Sequence, residues 1–386
     1  MKVLYAAMYH DPRDPDASSG VDYNFYSAIC RYAENVVIAG PYRMQGSLPE
    51  RIFQKLYIRK TNKRYMKWNL RAVYHASRDV NRLERHIQPD VVFTIFPSTL
   101  VLYNGQAPCV LNTDTTFLGW QESWPEFGNL ALCMQVLEER IAVRKSAYII
   151  TFSEWCRQEI IHRHAFDPNK IEAIPMPSAL PVFSVPDAEE IEILLHSRII
   201  TTPLRLLTVG RDYKRKGIDI SIQIARLLNE SGIPTELTVC GIQGEYLPHT
   251  HFVGPYNKSD PDQLREYTDL YRQAHFLIHP ALFDPSPIVP AEAAAFGVPT
   301  ISNNTGGIAT SVRDGISGVV LPKASPAEAY VQVIRGFLDQ PHLYVTLCRS
   351  ARKRYEQELN WDVAGKRLEV IFRKLVETHP RNGPKT

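Results

Sequence analysis

The sequence predicts an α/β protein made of two doubly wound, Rossmann-like domains facing each other across a cleft. Three observations carry this. The chain has 386 residues, more than the roughly 100–200 that one domain usually takes. Short apolar runs alternate with helical patterns, as in parallel sheets with crossover helices. The alternation breaks once, in a proline-rich seam, and then starts again.

In the first half, strands are expected at 3–7, 36–39, 91–95, 109–112 and 147–152. Helices are expected at 21–32, 130–145 and 154–164, with Ser153 as the N-cap of the last. The seam holds Pro175, Pro177, Pro181, Pro186 and Pro203, with one weakly helical piece at 188–196. It reads as a linker over 176–203 between an N-terminal domain, 1–175, and a C-terminal domain, 204–361. In the second half, strands are expected at 204–209, 236–240, 275–279 and 299–302, with a short extended piece at 318–321. Helices are expected at 218–228, 262–272 and 289–296. Three more helices finish the chain, and the last, 362–377, is expected to pack back on the first domain. Ligands of such sheets bind beyond the carboxyl ends of the strands. The loops that matter are therefore 8–20, 113–120, 210–216, 241–245, 280–288 and 303–307.

Composition narrows the function classes. Hydrophobic residues make up 44% and charged residues 22%, which fits a globular protein and not a disordered one. With 44 basic against 41 acidic residues, the broad positive surface of a nucleic-acid binder is missing, so any anion site must be local. Six cysteines lie scattered without a C-x-x-C pair, as free thiols of a reducing compartment do. The apolar run at the start is too short for a signal peptide, and no stretch reaches the ~18 apolar residues of a spanning helix. A cytoplasmic protein is expected.

Three loops carry chemistry. Gly210-Arg211-Asp212-Tyr213-Lys214-Arg215-Lys216-Gly217 follows a strand and opens a helix. Arg211 can fork onto two phosphate oxygens and Lys216 adds a compact charge. The helix beginning near Lys216 adds its dipole, and Gly210 allows a tight turn. The same loop could be an ordinary solvated basic turn. It is not a Walker A loop, because the lysine precedes the second glycine and no Ser or Thr comes after it. The second loop, Asp284-Pro285-Ser286-Pro287-Ile288-Val289-Pro290-Ala291-Glu292, leads into a helix whose opening amides, Ile288 and Val289, could meet an anion. Glu292, one turn in, suits a sugar diol, or simply complements the helix dipole. The third, Asn303-Asn304-Thr305-Gly306-Gly307, permits close backbone approach to a ligand or makes a plain turn.

These pieces, in this order and spacing, resemble glycosyltransferase family 4, retaining enzymes of the GT-B fold. The resemblance covers 204–322 and takes in Val-Gly-Arg…Lys-Gly, the acid-x7-acid motif Asp284–Glu292, Ala-Phe-Gly-Val-Pro-Thr at 295–300 and the Gly306-Gly307…Asp314-Gly315…Gly318 run; Asn360-Trp361 is similar too. Fainter likeness lies in Thr113-Asp114-Thr115-Thr116-Phe117 and in 147–154. The resemblance implies a hexosyltransferase using a nucleotide sugar and a hydroxyl acceptor, a glycan, lipid-linked or small molecule. It implies that Arg211 and Lys216 hold the diphosphate, that Glu292 takes the ribose and that Asp284 contacts the donor sugar. Ser286 and the Ile288 and Val289 amides would support the donor. Gly241 and Ile242 would line the base pocket, and Gly20 would let the first domain approach the diphosphate.

The departures are informative. Asp284 stands where the family usually has Glu, and Ser286-Pro287 replaces Phe-Gly, removing one amide. Ile174-Pro175-Met176-Pro177 lacks the familiar Asn-Gly. No histidine matches the one many members place near the sugar; Asp114 is nearest by position, and could equally form an Asx turn. His279 could support the sugar pocket or merely end a strand. His249-x-His251 lacks the further ligands of a metal site. With Arg211 and Lys216 available for the leaving diphosphate, no metal or cofactor is expected. A sugar-nucleotide epimerase of the same fold, and a non-catalytic nucleotide- or glycan-binding protein, are the rival readings. A nicotinamide enzyme is disfavoured because no G-x-G-x-x-G comes after a strand.

One stretch stands apart. Residues 51–78 carry nine Lys/Arg (Arg51, Lys55, Arg59, Lys60, Lys63, Arg64, Lys67, Arg71, Arg78) and no acid, interleaved with Phe53, Tyr57, Tyr65, Trp68 and Tyr74. That composition suits an anionic membrane surface at the inner face of the membrane, or a lipid-linked acceptor. A solvated helical face with core aromatics has the same composition.

Overall fold

A computed structural model describes residues 1–42, 48–63, 70–199 and 202–379. The chain divides into two compact units, Met1–Ile174 with Ala364 onward, and Pro175–Val363. Each is built on a six-stranded sheet.

In the first unit the strands are β1 (Lys2–Ala6), β2 (Asn35–Ala39), β3 (Val91–Thr94), β4 (Cys109–Thr113), β5 (Ser146–Thr151) and β6 (Ile171–Ala173). Their order is β2-β1-β3-β4-β5-β6, with every pair parallel. The strands read as continuous apolar runs because helices cover both faces of such a sheet; all four residues of β3 are buried. β1 is the switch point: the chain leaves it towards β2 and returns on its other side as β3, which opens a crevice beyond the carboxyl ends of β1 and β3.

The second unit repeats the plan with β7 (Leu204–Val209), β8 (Thr235–Cys240), β9 (Thr250–Val253), β10 (Phe276–His279), β11 (Thr300–Asn303) and β12 (Gly318–Leu321). Their order is β12-β11-β10-β7-β8-β9, again parallel. Here the switch point lies between β7 and β10. The loops after those two strands are 210–217 and 280–288, the two richest in candidate residues.

Several elements were absent from the sequence expectation. β6 and β9 are short edge strands, and β9 carries exposed His251, which shares Glu236 with His249. Their polar, brief patterns hide them. The helices Leu48–Thr61, Leu70–Ile87 and Phe117–Ser123 were also not anticipated. Of the basic stretch, Arg64, Tyr65, Lys67 and Trp68 lie outside the described residues. The helix expected at 218–228 does start at Ile218, with Gly217 in a left-handed conformation as its N-cap, so Lys216 lies just before it.

The segment 176–203, expected as a linker, clusters with the second unit; its residues 200–201 lie outside the described ones. Its helix Ala188–Ile199 sends Ile191 and Leu195 into the core beside Leu204 and Phe276. Arg198, 3% exposed, donates to the carbonyls of Tyr271, Arg272, Phe296 and Gly297 at 3.0–3.3 Å. A buried guanidinium needs such acceptors, and they need it. In the first unit, the chain from Ala364 onward packs Phe372 against Phe93 and Tyr32, and Arg367 pairs with Glu172.

Replacing Arg198 with Ala strands those four carbonyls and should lower stability by on the order of 3 kcal/mol, read as a drop in the denaturant midpoint. An unchanged midpoint would remove Arg198 from the second unit's framework.

Candidate active site

The second unit gathers most of the expected residues around the β7–β10 switch point. The loop after β7 folds on itself: Asp212 accepts from the Arg215 amide at 3.0 Å, and its carbonyl accepts from the Lys216 amide at 3.0 Å. Position 210 has room only for glycine, since a Cβ there would lie 2.7 Å from Cγ of Lys216. Lys216 therefore runs across Gly210 and back into the unit. Arg211 lies beside Gly241, where a Cβ would stand 3.6 Å from the arginine's Cγ. It is exposed and has no ion-pair partner among the described residues. Gly241 and Ile242 come after β8 next door; Gly241 packs against the Gly210 carbonyl, and Ile242 packs on the core.

Lys216 ends on Asp284. Its Nζ donates to Oδ2 of this buried carboxylate, and His279, fully buried at the end of β10, places Nε2 3.2 Å from the same oxygen. Arg215 donates to the Phe283 carbonyl at 3.1 Å and approaches Oδ1 of Asp284 at 3.9 Å. Burial alone would raise the Asp284 pKa, but the Lys216 ammonium and the His279 hydrogen bond outweigh it and hold the carboxyl below its usual range. Burial lowers the His279 pKa despite Asp284, so His279 is neutral and donates from Nε2. The third loop supports the acid from behind: the Gly307 amide donates to the Asp284 carbonyl at 2.9 Å. Gly306, at φ +55°, lies so close that a Cβ would stand 2.4 Å from that carbonyl oxygen. Asn303-Asn304-Thr305-Gly306-Gly307 is thus a backbone brace for Asp284.

Glu292 is also completely buried, on the helix Val289–Ala295. Its Oε2 accepts from Tyr267 at 2.6 Å and Tyr271 at 2.9 Å, and its Oε1 accepts from Lys258 at 2.6 Å. Burial, then the Glu292 charge, raises both phenols well above their ordinary values, so they remain donors. The expected ribose ligand is therefore already hydrogen-bonded within its own unit. Ile288 and Val289 open this helix, where amides lack intrahelical partners. At seven residues the helix offers local N–H groups rather than a long dipole. Ser286 is half-buried in the loop before it.

Two expected residues belong to the first unit. Gly20 is buried at φ +80° as the N-cap of the helix Val21–Cys30. Asp114 comes after β4 and lines a cavity of about 250 Å³. Sequence reasoning missed Lys258, Tyr267, Tyr271 and Arg215. The tyrosines had a signal, their i, i+4 spacing on one helix face; Lys258 had none.

Comparison with known proteins adds to this geometry. Residues 192–354 match the model for glycosyl transferases, group 1. D-inositol 3-phosphate glycosyltransferase 1 of Catenulispora acidiphila is 29% identical over 196 residues, 45% of this chain and 44% of that one. The match thus spans less than half of that relative's length. Glycogen synthase of Mycobacterium tuberculosis is 27% identical over 329 residues, 80% of this chain and 75% of that one. Among solved structures, sucrose-phosphate synthase from Thermosynechococcus elongatus superposes with a TM-score of 0.69 at 14% identity, over 98% of this chain and 99% of the other. Anabaena HepE in complex with UDP-glucose gives 0.63 at 14% identity, with the same coverages. The fold is that of GT-B glycosyltransferases: two parallel-sheet α/β domains of six strands each. The matched region and these relatives liken the chain to glycosyltransferases.

The Asp284 charge has a testable pH signature. Its folded pKa is depressed, so its contribution to stability is present above the ordinary value of about 3.9 and fades as pH falls below it. Asp284→Asn should melt lower than the parent at neutral pH, with the gap closing in acid. A gap independent of pH would mean that the carboxylate charge is not what holds these loops.

Proposed function

We propose that this chain moves a sugar from a nucleotide-sugar donor to a hydroxyl acceptor, with retention of anomeric configuration and without a metal ion. The observation that carries the reading is the split loop after β7: Arg211 exposed and without a counter-ion among the described residues, Lys216 five residues on and held by a buried acid. A diphosphate at the β7–β10 switch point meets a planar guanidinium and an ammonium with three hydrogens to share. Negative charge growing on the leaving diphosphate is stabilised by groups already in place, which is where such catalysis gains most. As Lys216 turns part of its charge to phosphate, Asp284 frees a lone pair for a donor-sugar hydroxyl. Glu292 takes the ribose diol by exchanging or sharing Lys258. Gly210, Gly241, Ile242, Ser286 and the Ile288 and Val289 amides complete the donor side. In the first unit, Asp114 stands at the position nearest the family histidine, and Gly20 is the glycine of the loop after β1. HepE, of the same fold, was captured with UDP-glucose, which supports a nucleoside diphosphate sugar as donor.

The assay is turnover with a panel of UDP-, GDP- and ADP-sugars, the donor first being chosen by thermal shift. Lys216→Ala should lower turnover by about 10²–10³, EDTA should leave the rate unchanged, and NMR of the product should show the donor's anomeric configuration. Full activity in Lys216→Ala, or inactivation by EDTA, contradicts the mechanism. Turnover of the donor with no acceptor would point to an epimerase instead.

A second reading concerns place. The helix Leu48–Thr61 exposes Ile52 (51%), Phe53 (51%) and Leu56 (59%) beside Lys55, Arg59 and Lys60. Among the described residues no helix is long and apolar enough to cross a membrane. We propose that this helix rests its apolar side chains on an anionic lipid surface, with the lysines and arginines meeting headgroups. Vesicles containing phosphatidylglycerol should pull the protein down at low salt, and Phe53→Ser with Leu56→Ser should abolish it. Equal sedimentation of parent and variant rules the helix out as the anchor.

A further inference from the structure

The carboxylate of Glu292 has little hydrogen-bonding capacity left, and what remains is on one oxygen. A carboxylate offers about two acceptor sites on each oxygen. Oε2 uses both of its own, on the phenols of Tyr267 at 2.6 Å and Tyr271 at 2.9 Å. Oε1 uses one, on Nζ of Lys258 at 2.6 Å. One acceptor site is therefore open, on Oε1, beside an ammonium.

Lys258 is built into the same piece of structure as the phenols. It lies between β9 and the helix Pro261–Gln273, which carries Tyr267 and Tyr271. Asp260 caps that helix, accepting from the amides of Asp262 at 3.0 Å and Gln263 at 3.1 Å. The Gln263 side chain in turn accepts from the Asn257 amide at 2.9 Å, and Asn257 Oδ1 accepts from the Ser259 amide at 3.0 Å. The loop is thus tied to the helix on both sides of Lys258. Nζ also stands over the Tyr267 ring, 5.1 Å from its centre, where a cation is attracted to the aromatic face.

The exposures of the pair are opposite. The Glu292 side chain is 0% exposed and that of Lys258 29%, so a ligand meets the ammonium before the acid. Driving Lys258 away would leave a buried carboxylate without its counter-charge, which is strongly unfavourable. Sharing costs less. Among the described residues Nζ donates only to Oε1, and an ammonium has further hydrogens to give. A hydroxyl satisfies both partners at once: its hydrogen goes to Oε1 and its oxygen accepts from Nζ. A second, vicinal hydroxyl finds Oε2 already filled.

We propose that Lys258 makes this site read one hydroxyl of the ribose rather than both. Glu292 accepts that hydroxyl through Oε1, Lys258 donates to its oxygen, and the neighbouring hydroxyl goes unread. Lys258 is then a specificity-determining residue, and a nucleotide lacking the unread hydroxyl is held nearly as well as the intact one. That the ligand is a ribose rests on the nucleotide-sugar reading.

The test reads binding without turnover. The full chain is screened with UDP, GDP and ADP by thermal shift, and the nucleotide that binds is compared by calorimetric titration with its 2′-deoxy and 3′-deoxy forms. One of the two should bind about tenfold or more weakly than the intact nucleotide, the loss expected for a hydrogen bond to a charged group, and the other within about threefold of it. Lys258→Ala uncovers Oε1, frees its second acceptor site and should bring the two deoxy forms within about threefold of each other. Lys258→Gln, which keeps N–H groups for Oε1 and for the hydroxyl, should hold them apart. Melting transitions show whether the variants are folded; the comparison in the parent protein decides if they are not. Equal losses from the two deletions, no loss from either, or a split that a folded Lys258→Ala leaves unchanged overturns the proposal and leaves the donor reading standing. A chain that binds none of the three nucleotides overturns the donor reading, and this proposal with it.

Discussion

The carboxylate of Asp284 is buried, and a buried carboxylate must be matched by partners brought from elsewhere in the chain. Lys216 comes from the loop after β7, His279 from the end of β10, and the braced backbone from the loop after β11. Three loops that are distant in sequence are thereby held against one charge. Removing any partner would leave the others facing an uncompensated charge or an unpaired polar atom, so these segments stand or fall together. The switch point provides the space; the ion pair decides how it is filled.

Glu292 meets the same demand by different means. Its partners are two phenols and one lysine. The two acids flank one loop and one short helix, yet one is matched chiefly by charge and the other mostly by neutral donors. The first arrangement is electrostatically strong and can be redistributed when another anion competes for Lys216. The second is geometrically rigid: Tyr267 and Tyr271 also bond each other at 2.8 Å, which fixes Oε2 and leaves Oε1 as the oxygen whose partner can change. The site so divides into a part that adapts and a part that is preorganised.

What could be read from the sequence has the same division. The architecture was legible because buried parallel strands are mostly apolar, as in β3, where only Thr94 is polar, and β7, where only Arg205 and Thr208 interrupt the run. The loops carrying Arg211, Lys216, Asp284 and Glu292 were legible because glycines, prolines and charges cluster just after strands. Tertiary convergence was not. Nothing in the neighbourhood of Lys258 indicates that it reaches Glu292, thirty-four residues away. Arg198 looks like a surface residue at a helix end, yet it is buried among carbonyls. Gln135 and Glu138 read as the wet face of a helix, and instead border a cavity. Polar residues turned inward escape pattern reading because the pattern assumes that polarity faces water. The edge strands β6 and β9 escaped for the complementary reason, being too short and too polar to register.

The first unit is assembled from both sides of the second in sequence, since the chain from Ala364 onward supplies Phe372 and Arg367 to a core begun at Lys2. This bears on synthesis. The second unit runs from Pro175 to Val363, and at about 5–20 residues per second its translation takes roughly ten to forty seconds. Throughout that interval the first sheet is complete while its last helix does not yet exist. The apolar surface that Phe372 will cover near Phe93 and Tyr32 is therefore exposed on the ribosome, and the unit made first is the one finished last.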